Sequence, residues 1–316
     1  MPGKLVLSML GTLAAIVAFT TLVFAVVMDY LGVFDLYYLV AVVAGFNVLQ
    51  WLLAPYFINM LYHVREADPA IHADLYYTVR RLASKAGLPM PKLMIADVPF
   101  PNAFAYGSPL TGNMVAVTRG LLDALDEEEI EAVIGHELGH LRHRDVQVMM
   151  LLSMLPSVFY LIARSAFYTP EERRERGEGL ALVGVISLIA YWVLSLMILH
   201  FSRLREYYAD EFSVSLAPTR REGARRLAEA LAKIVTYTAR LKVAGAFTSP
   251  PGFKALLISD PDNAISDAHA LSGGDWGLVE RISRREVSLA ERIFELFSTH
   301  PNMVKRIRRL KEIASH

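Results

Sequence analysis

The sequence predicts an α+β integral membrane protein, in which a mainly helical domain with a small β-sheet is combined with four transmembrane helices. Four apolar segments are long enough to cross a bilayer. Several polar segments have helical periodicity, and two short β-prone runs at 102–106 and 114–118 are joined by glycine, proline and asparagine residues typical of a hairpin turn. The four apolar segments cover residues 5–28, 36–61, 146–167 and 180–201.

The overall composition is that of a membrane protein. Of the 316 residues, 54% are hydrophobic, and the mean hydropathy is +0.34. The chain contains no cysteine, which excludes disulfides and metal binding by thiolates. The formal net charge is +0, so the charge gives no indication of a nucleic-acid partner.

The apolar segments differ in how clearly they predict a membrane span. The first two carry no charge. The first is also too long for a cleavable signal peptide and is followed closely by the second, so we expect it to be retained as an anchor. The third contains Pro156 and Arg164, but this arginine lies near the end of the segment, where its side chain can reach the bilayer surface.

Basic residues near the spans predict the orientation of the chain. Lys4 precedes the first span, the loop 29–35 has acidic but no basic residues, and Arg65 follows the second span. Because cytoplasmic loops are enriched in lysine and arginine, we expect the N-terminus on the cytoplasmic side. The arginines that flank the second pair of spans place the neighbouring polar segments on that same side. They are Arg142, Arg144, Arg203 and Arg205.

A helix is predicted from Glu127 onward by signals that do not depend on any functional motif. Asp126 is a suitable N-cap, and Glu129 completes a capping box with it. Apolar residues then recur at helical spacing at Ile130, Val133, Ile134 and Leu138. We therefore expect the helix to continue through His140.

Two histidines in this helix form an HExxH pattern. His136 and His140 are four residues apart, so they lie on one helix face and can hold a single Zn²⁺, while Glu137 faces the water on that metal. This is the geometry of a metallopeptidase. The pattern is short enough to arise by chance from surface histidines, so a third metal ligand is the deciding feature.

Three downstream residues are candidates for the third ligand. His143 would share a helix with the first two ligands, and one straight helix cannot surround a tetrahedral ion, so we expect it to be a surface residue. Glu206 shares a helix face with Asp210, which can accept the outer N–H of a ligating histidine. His300 is held in an extended or turn conformation by the proline that follows it. From the residues alone, Glu206 and His300 both remain open.

Three motifs in this order carry a family resemblance: HELGH at 136–140, SRLREYYAD at 202–210 and STHPNMVKRIRRL at 298–310. With the hydrophobic hairpins before and between them, they resemble the HtpX branch of the M48 membrane metallopeptidases, relatives of the Ste24 prenyl-protein protease. The resemblance covers essentially the whole chain and includes NAFAYG at 102–107, where the family usually has NAFATG. This difference falls on Tyr106 and bears on substrate preference, not on catalysis.

The resemblance implies a gluzincin-type catalytic domain with one Zn²⁺ per chain. In this family the two motif histidines and the glutamate of the ExxxD helix hold the metal. The corresponding residues here are His136, His140 and Glu206. Glu137 is then expected to be the general base, Asp210 to support a metal-binding histidine, and His300 to stabilise the oxyanion.

The expected partners are polypeptide substrates and the lipid bilayer. Substrates should bind in an extended conformation along an edge strand, where main-chain hydrogen bonds give affinity with little sequence preference. That strand comprises Asn102, Ala103, Phe104 and Ala105. The resemblance implies quality control of misfolded or damaged membrane proteins by a multi-pass enzyme of the plasma membrane, with its catalytic site on the cytoplasmic side.

Alternative functions are a CAAX-type prenyl-protein protease and a zinc-binding membrane scaffold without activity. A protease whose HExxH motif lies inside the bilayer is disfavoured, because acidic residues begin the helix at 126–129.

These expectations divide the chain into an N-terminal transmembrane hairpin, the two parts of a catalytic domain, and a second transmembrane hairpin between those parts. The N-terminal hairpin covers 1–65 and the second hairpin covers 146–201. The two parts of the catalytic domain cover 66–145 and 202–316. Within the last part, segment 243–287 is rich in Gly, Pro, Asp and Ser and is expected to be a mobile insertion. The last helix carries Lys305, Arg306, Arg308 and Arg309. We expect these residues to form a solvated face, with binding to anionic lipids as the alternative.

Overall fold

The computed structural model describes residues 33–167, 177–244 and 275–315, together with the separate positions 12, 15, 16, 19, 22 and 23. Most of the first predicted span, the tip of the second hairpin and residues 245–274 therefore lie outside the described residues. The elements in chain order are α1 (Val33–Leu61), β1 (Val64–Glu66), α2 (Ala73–Lys85), β2 (Lys92–Ala96), β3 (Ala103–Ser108), β4 (Gly112–Thr118), α3 (Arg119–Ala124), α4 (Glu127–Arg142), α5 (Asp145–Phe167), α6 (Gly177–Leu216), α7 (Arg220–Val243), α8 (Asp275–Arg284), α9 (Leu289–Leu296) and α10 (Met303–Ser315). The chain is mainly helical with a small sheet, as predicted.

The chain divides into two compact units. The first contains Met1–Leu52 and Gln147–Leu204, and the second contains Leu53–Val146 and Arg205–His316. Each unit is therefore assembled from two separate stretches of sequence.

The first unit is built from apolar helices. In the part of the chain that the structure describes, two helices are long and apolar enough to cross a membrane, over Asp145–Phe167 and Gly179–Leu216. α5 and α6 contribute buried residues such as Phe159 and Leu194 to one apolar cluster, while Trp192 remains 53% exposed. Apolar side chains both inside and outside a helix pair suit a bilayer, since lipid does not penalise apolar exposure.

The second unit contains a four-stranded mixed sheet in the order β1-β2-β4-β3. β3 and β4 form the predicted antiparallel hairpin, in register from Ala103 opposite Val117 to Ser108 opposite Gly112. A glycine is needed at position 107, because its φ is +151° and a Cβ there would lie 2.3 Å from the carbonyl oxygen of Gly112. β3 is the outermost strand of this sheet, as expected for an edge strand.

The main core of the second unit lies between helices α4, α7 and α10. Ile134 and Leu138 of α4 are fully buried there, with Leu227 of α7 and Ile307 of α10. This core covers one side of the helix that carries the HExxH motif, and so fixes the direction in which its other side chains point.

Part of the predicted mobile insertion is a packed helix. α8 (Asp275–Arg284) lies within 243–287, and its residues Val279 and Ile282 are buried in the main core. The prediction is therefore wrong for 275–284. A composition rich in glycine and serine concealed the spacing of these two apolar residues, which places them on one helix face.

The prediction of a solvated face for the basic residues of α10 is wrong for Arg306, whereas Arg308 is exposed. Arg306 is 0% exposed. Arg308 donates hydrogen bonds to the backbone oxygens of Ser283 at 3.1 Å and Arg285 at 3.0 Å. Protein partners thus replace solvent around Arg306, while Arg308 keeps solvent contact beside its hydrogen bonds.

The start of α4 is fixed by the predicted capping box and by a cation from another helix. Asp126 Oδ1 accepts a hydrogen bond from the Glu129 backbone N at 2.9 Å, and Glu129 Oε2 accepts one from the Asp126 backbone N at 3.0 Å. Lys233 Nζ of α7 lies 2.7 Å from Glu129 Oε1. Glu129 is 2% exposed, so burial raises its pKa from 4.5 to about 7, although Lys233 opposes this shift.

The first prediction concerns the stability of this cap as a function of pH. Between pH 4.5 and about 7, folded Glu129 keeps a proton that the unfolded chain has lost, so stability should fall as the pH rises through this window. The loss should be about 3 kcal/mol at most, measured as a lower melting temperature in detergent. Glu129→Gln keeps the capping hydrogen bonds without a titrating proton and should show less of this decline. A constant difference between the two proteins at every pH would contradict the assignment.

Candidate metal centre

Three potential metal ligands converge from two helices of the second unit. His136 and His140 belong to α4 and Glu206 to α6, and their ligand atoms lie within 4.8 Å of one another. The two Nε2 atoms are 3.2 Å apart. The Glu206 carboxylate oxygens lie 3.6 Å from His136 Nε2 and 3.5 Å from His140 Nε2. Tetrahedral Zn²⁺ with nitrogen and oxygen ligands at about 2.1 Å separates its ligand atoms by about 3.4 Å, so this group fits the ion.

The outer nitrogens of both histidines contact carboxylates. His136 Nδ1 lies 2.9 Å from Asp210 Oδ1, and His140 Nδ1 lies 2.6 Å from Asp145 Oδ2. A carboxylate at Nδ1 favours the tautomer with its proton there, which leaves Nε2 free to bind a metal. Asp210 therefore lies where the sequence predicted a supporting carboxylate. Asp145 does the same for the second histidine and was not foreseen.

The electrostatics of the site favour positive charge between these ligands. Burial lowers the pKa of His136, but hydrogen bonds with Asp210 and Glu206 outweigh this effect and raise it to about 10. Burial likewise raises the pKa of Glu206, yet His300, His136 and Arg306 hold it well below its ordinary value. The carboxylate is thus ionised and ready to bind a cation.

Small residues allow α4 and α6 to approach each other closely. A Cβ at Gly139 would lie 3.2 Å from the Cα of Ala209, and one at Gly135 would lie 3.1 Å from Ser213 Oγ. The Ser213 hydroxyl donates a hydrogen bond of 2.6 Å to the backbone oxygen of Ala132. The two glycines of the HExxH helix therefore permit the short distance between Glu206 and the histidines.

Glu137 lies between the histidines and the edge strand. Its side chain is 3% exposed, and its Oε2 accepts a hydrogen bond from the backbone N of Ala105 at 2.8 Å. Burial raises the pKa of Glu137, although the two imidazoles oppose the shift. A raised pKa makes the carboxylate a better proton acceptor.

The predicted substrate strand meets the site through one residue. Because the Ala105 N–H is directed at Glu137, it points away from β4, its partner strand. Ala105 is partly exposed, whereas the other three predicted positions are buried. Those three are Asn102, Ala103 and Phe104.

Tyr106 is a buried residue of the edge strand. It shares a core cluster with Tyr62 and Phe104, and its hydroxyl donates a hydrogen bond of 2.6 Å to Asn59 Oδ1 at the end of α1. Tyr106, which stands where the family usually has threonine, therefore links the edge strand to α1 through this hydrogen bond.

The two other histidines that were candidates for the third ligand, His300 and His143, occupy different surroundings. His300 Nδ1 lies 3.4 Å from Glu206 Oε1, so the structure brings this residue to the potential metal ligands. His143 caps the C-terminus of α4, and its ring lies 4.3 Å from the ring of Tyr208. His143 is therefore half-buried against an aromatic residue, where a surface position was expected.

Two arginines lie near the candidate metal centre, and their contacts there were not predicted from the sequence. Arg306 Nε and Nη2 bind the two oxygens of Asp210 at 3.0 and 2.5 Å, and its Nη1 lies 3.1 Å from Glu206 Oε2. Arg205 Nη2 lies 2.7 Å from Asp145 Oδ2. One signal for Arg306 was available, since it lies at helical spacing between the apolar residues of the last helix. Those residues include Met303 and Leu310.

Comparison with known proteins assigns the chain to a family. The profile of peptidase family M48 matches residues 69–314. A protease HtpX homolog of Aeropyrum pernix is 40% identical over 275 residues, which cover 85% of this chain and 83% of that protein. One from Thermoplasma volcanium is 33% identical over 310 residues, covering 97% and 94%.

A solved structure shows a related fold. The crystal structure of S. mikatae Ste24p has a TM-score of 0.56 and 16% sequence identity, and the match covers 97% of this chain and 66% of that one. At this identity the likeness concerns the fold alone.

The second prediction tests the close approach of the two ligand-bearing helices. Gly139→Ala should push α6 away, lower the stability by about 1 to 3 kcal/mol through overpacking, and weaken Zn²⁺ binding measured by competition with a chelating dye. Gly277→Ala is the matched control, because the nearest atom to its Cβ is 4.0 Å away. That control should be neutral or slightly stabilising. Unchanged Zn²⁺ affinity in Gly139→Ala would show that the close contact is dispensable.

Proposed function

The chain belongs to the M48 family of metallopeptidases and is a membrane protease of the HtpX type, and we propose that it is a zinc endopeptidase that cleaves misfolded or damaged membrane proteins. The observation that carries this proposal is the convergence of His136, His140 and Glu206 next to the buried carboxylate of Glu137. We propose one Zn²⁺ per chain, held by the first three residues.

In the proposed mechanism Glu137 is the general base. When bound, Zn²⁺ acts as a Lewis acid towards the attacking water and the scissile carbonyl. Glu137 accepts a proton from the water molecule as the water oxygen attacks the carbonyl carbon. It then gives that proton to the amine nitrogen as the C–N bond breaks. The Ala105 N–H supports this role, because its hydrogen bond fixes one carboxylate oxygen and leaves the other available.

His300 is proposed to stabilise the oxyanion. Its ring lies beside Glu206 and is partly buried, so a substrate carbonyl at the metal would be within reach of this side chain. A hydrogen-bond donor aimed at the developing negative charge stabilises the transition state more than the substrate.

The substrate is proposed to lie in an extended conformation along the outer edge of β3. Support comes from the position of this strand at the end of the sheet and from the partly exposed Ala105 beside the general base. Main-chain pairing of this kind recognises an extended backbone whatever its side chains are. Such recognition suits an enzyme that removes damaged proteins of varied sequence.

We further propose that all four apolar segments span the plasma membrane and that the catalytic residues are cytoplasmic. The proposed division follows these spans, with transmembrane hairpins at 1–65 and 146–201 and catalytic segments at 66–145 and 202–316. The arginines next to the spans support this orientation. Substrates would then be reached from the cytoplasmic side.

The third prediction separates the general base from the metal ligands. Glu137→Gln should keep near-stoichiometric zinc but lose peptidase activity by about 10³-fold or more, because only the proton acceptor is removed. Glu206→Ala should lose zinc and activity together, and His143→Ala should keep both. The measurements are metal analysis and cleavage of an unfolded model substrate with and without a chelator. Wild-type cleavage by Glu137→Gln would refute the mechanism, and a zinc-loaded wild type without activity would favour the scaffold alternative.

The fourth prediction tests the topology by cysteine labelling, which has no background because the chain contains no cysteine. In intact cells, a cysteine at Gly32 or Gly177 should react with a membrane-impermeant thiol reagent, whereas one at Ser84 or Ser315 should not. Labelling at Gly32 but not Gly177 would mean that the second hairpin does not cross the bilayer. Labelling at Ser84 would invert the proposed orientation.

A further inference from the structure

Asp145 is held at the metal centre by contacts with two other elements. It is the first residue of α5 and is 4% exposed. Its Oδ2 lies 2.6 Å from His140 Nδ1 and 2.7 Å from Arg205 Nη2. One carboxylate oxygen therefore serves both the histidine and the arginine.

Arg205 also binds the main chain of Asp145. It lies on α6 directly before Glu206 and is 7% exposed. Its Nη1 donates a hydrogen bond of 2.8 Å to the Asp145 backbone oxygen. A planar guanidinium that binds a residue at both its carboxylate and its backbone fixes the position of that residue more tightly than a single contact can.

We propose that Asp145 and Arg205 are positioning residues for the metal-binding nitrogen of His140. This inference rests on the proposed function, because it takes His140 to be a metal ligand. The carboxylate holds the Nδ1 proton of the imidazole and fixes the ring, so that Nε2 points to the metal. Arg205 in turn holds the carboxylate in place through its contacts with the side chain and the backbone of Asp145.

His136 has an equivalent but separate arrangement. Its Nδ1 meets Asp210, which is bound by Arg306 of α10. Each histidine thus has its own aspartate and arginine, and the two sets share no residue. A change at Asp145 should therefore weaken one metal ligand while leaving the support of the other intact.

The ion pair of Asp145 and Arg205 also joins the beginning of α5 to α6. Asp145 begins α5, and the boundaries between the two compact units fall at 146/147 and 204/205, next to Asp145 and Arg205. Asp145, Arg205 and His140 all belong to the second unit.

The test compares Zn²⁺ dissociation constants of the full-length protein in detergent, measured by competition with a chelating dye. Asp145→Ala should bind Zn²⁺ about 10 to 100-fold more weakly than wild type. Asp145→Asn should lose less Zn²⁺ affinity than Asp145→Ala, because its amide oxygen can still accept a hydrogen bond from the imidazole N–H. Arg205→Lys keeps the charge without the two-point contact and should bind about tenfold more weakly. The absorption spectrum of the Co²⁺-substituted protein should change in the same variants, since it reports ligand geometry.

Glu211→Gln is the matched control. Glu211 is a buried acid on the same helix as Arg205, and its partners are Arg220 and Arg309. It contacts neither ligand histidine in these ion pairs, so its substitution should leave the Zn²⁺ affinity and the Co²⁺ spectrum unchanged.

The outcomes separate this inference from the function on which it rests. A wild-type protein that binds no Zn²⁺ would overturn the proposed function itself. Wild-type affinity and spectrum in Asp145→Ala would overturn the positioning role alone. If Asp145→Ala does not accumulate as folded protein, Arg205→Lys decides the question, and unchanged Zn²⁺ affinity in that variant would refute the inference.

Discussion

The close packing of α4 against α6 is the contact on which the candidate metal centre depends. The three potential ligands come from stretches of sequence that are far apart, and they converge because Gly139 brings its helix within van der Waals contact of Ala209. A larger side chain at this point would separate Glu206 from the two histidines. The glycine within the HELGH motif thus has a structural role as definite as the ligand roles proposed for its neighbours.

Charge neutralisation is the second requirement of this arrangement. Glu206, Asp210 and Asp145 are all buried, and a buried carboxylate without a partner costs several kcal/mol. Arg306 and Arg205 supply part of the compensating charge, and the proposed cation adds to it. The site is therefore a network in which the removal of one cation leaves a buried anion unpaired.

The sequence predicted the elements whose signals are local. The capping box at Asp126 and the apolar periodicity after it located α4. Two short β-prone runs joined by glycine, proline and asparagine residues located the β3–β4 hairpin. The contacts of Arg306 and Asp145 were not predictable in the same way, because their partners lie on helices distant in sequence. The burial of Arg306 was not predicted for this reason. A basic helix residue normally faces solvent, unless acidic side chains elsewhere in the fold pair with it.

The hydrogen bond between Ala105 and Glu137 has a consequence for how the enzyme can diversify. Its donor is a main-chain N–H, which every residue except proline provides. Substitutions at position 105 can therefore alter the shape of the strand surface without removing the group that orients the carboxylate. Evolution can vary the residues that line such a strand while the Glu137 carboxylate keeps this hydrogen bond.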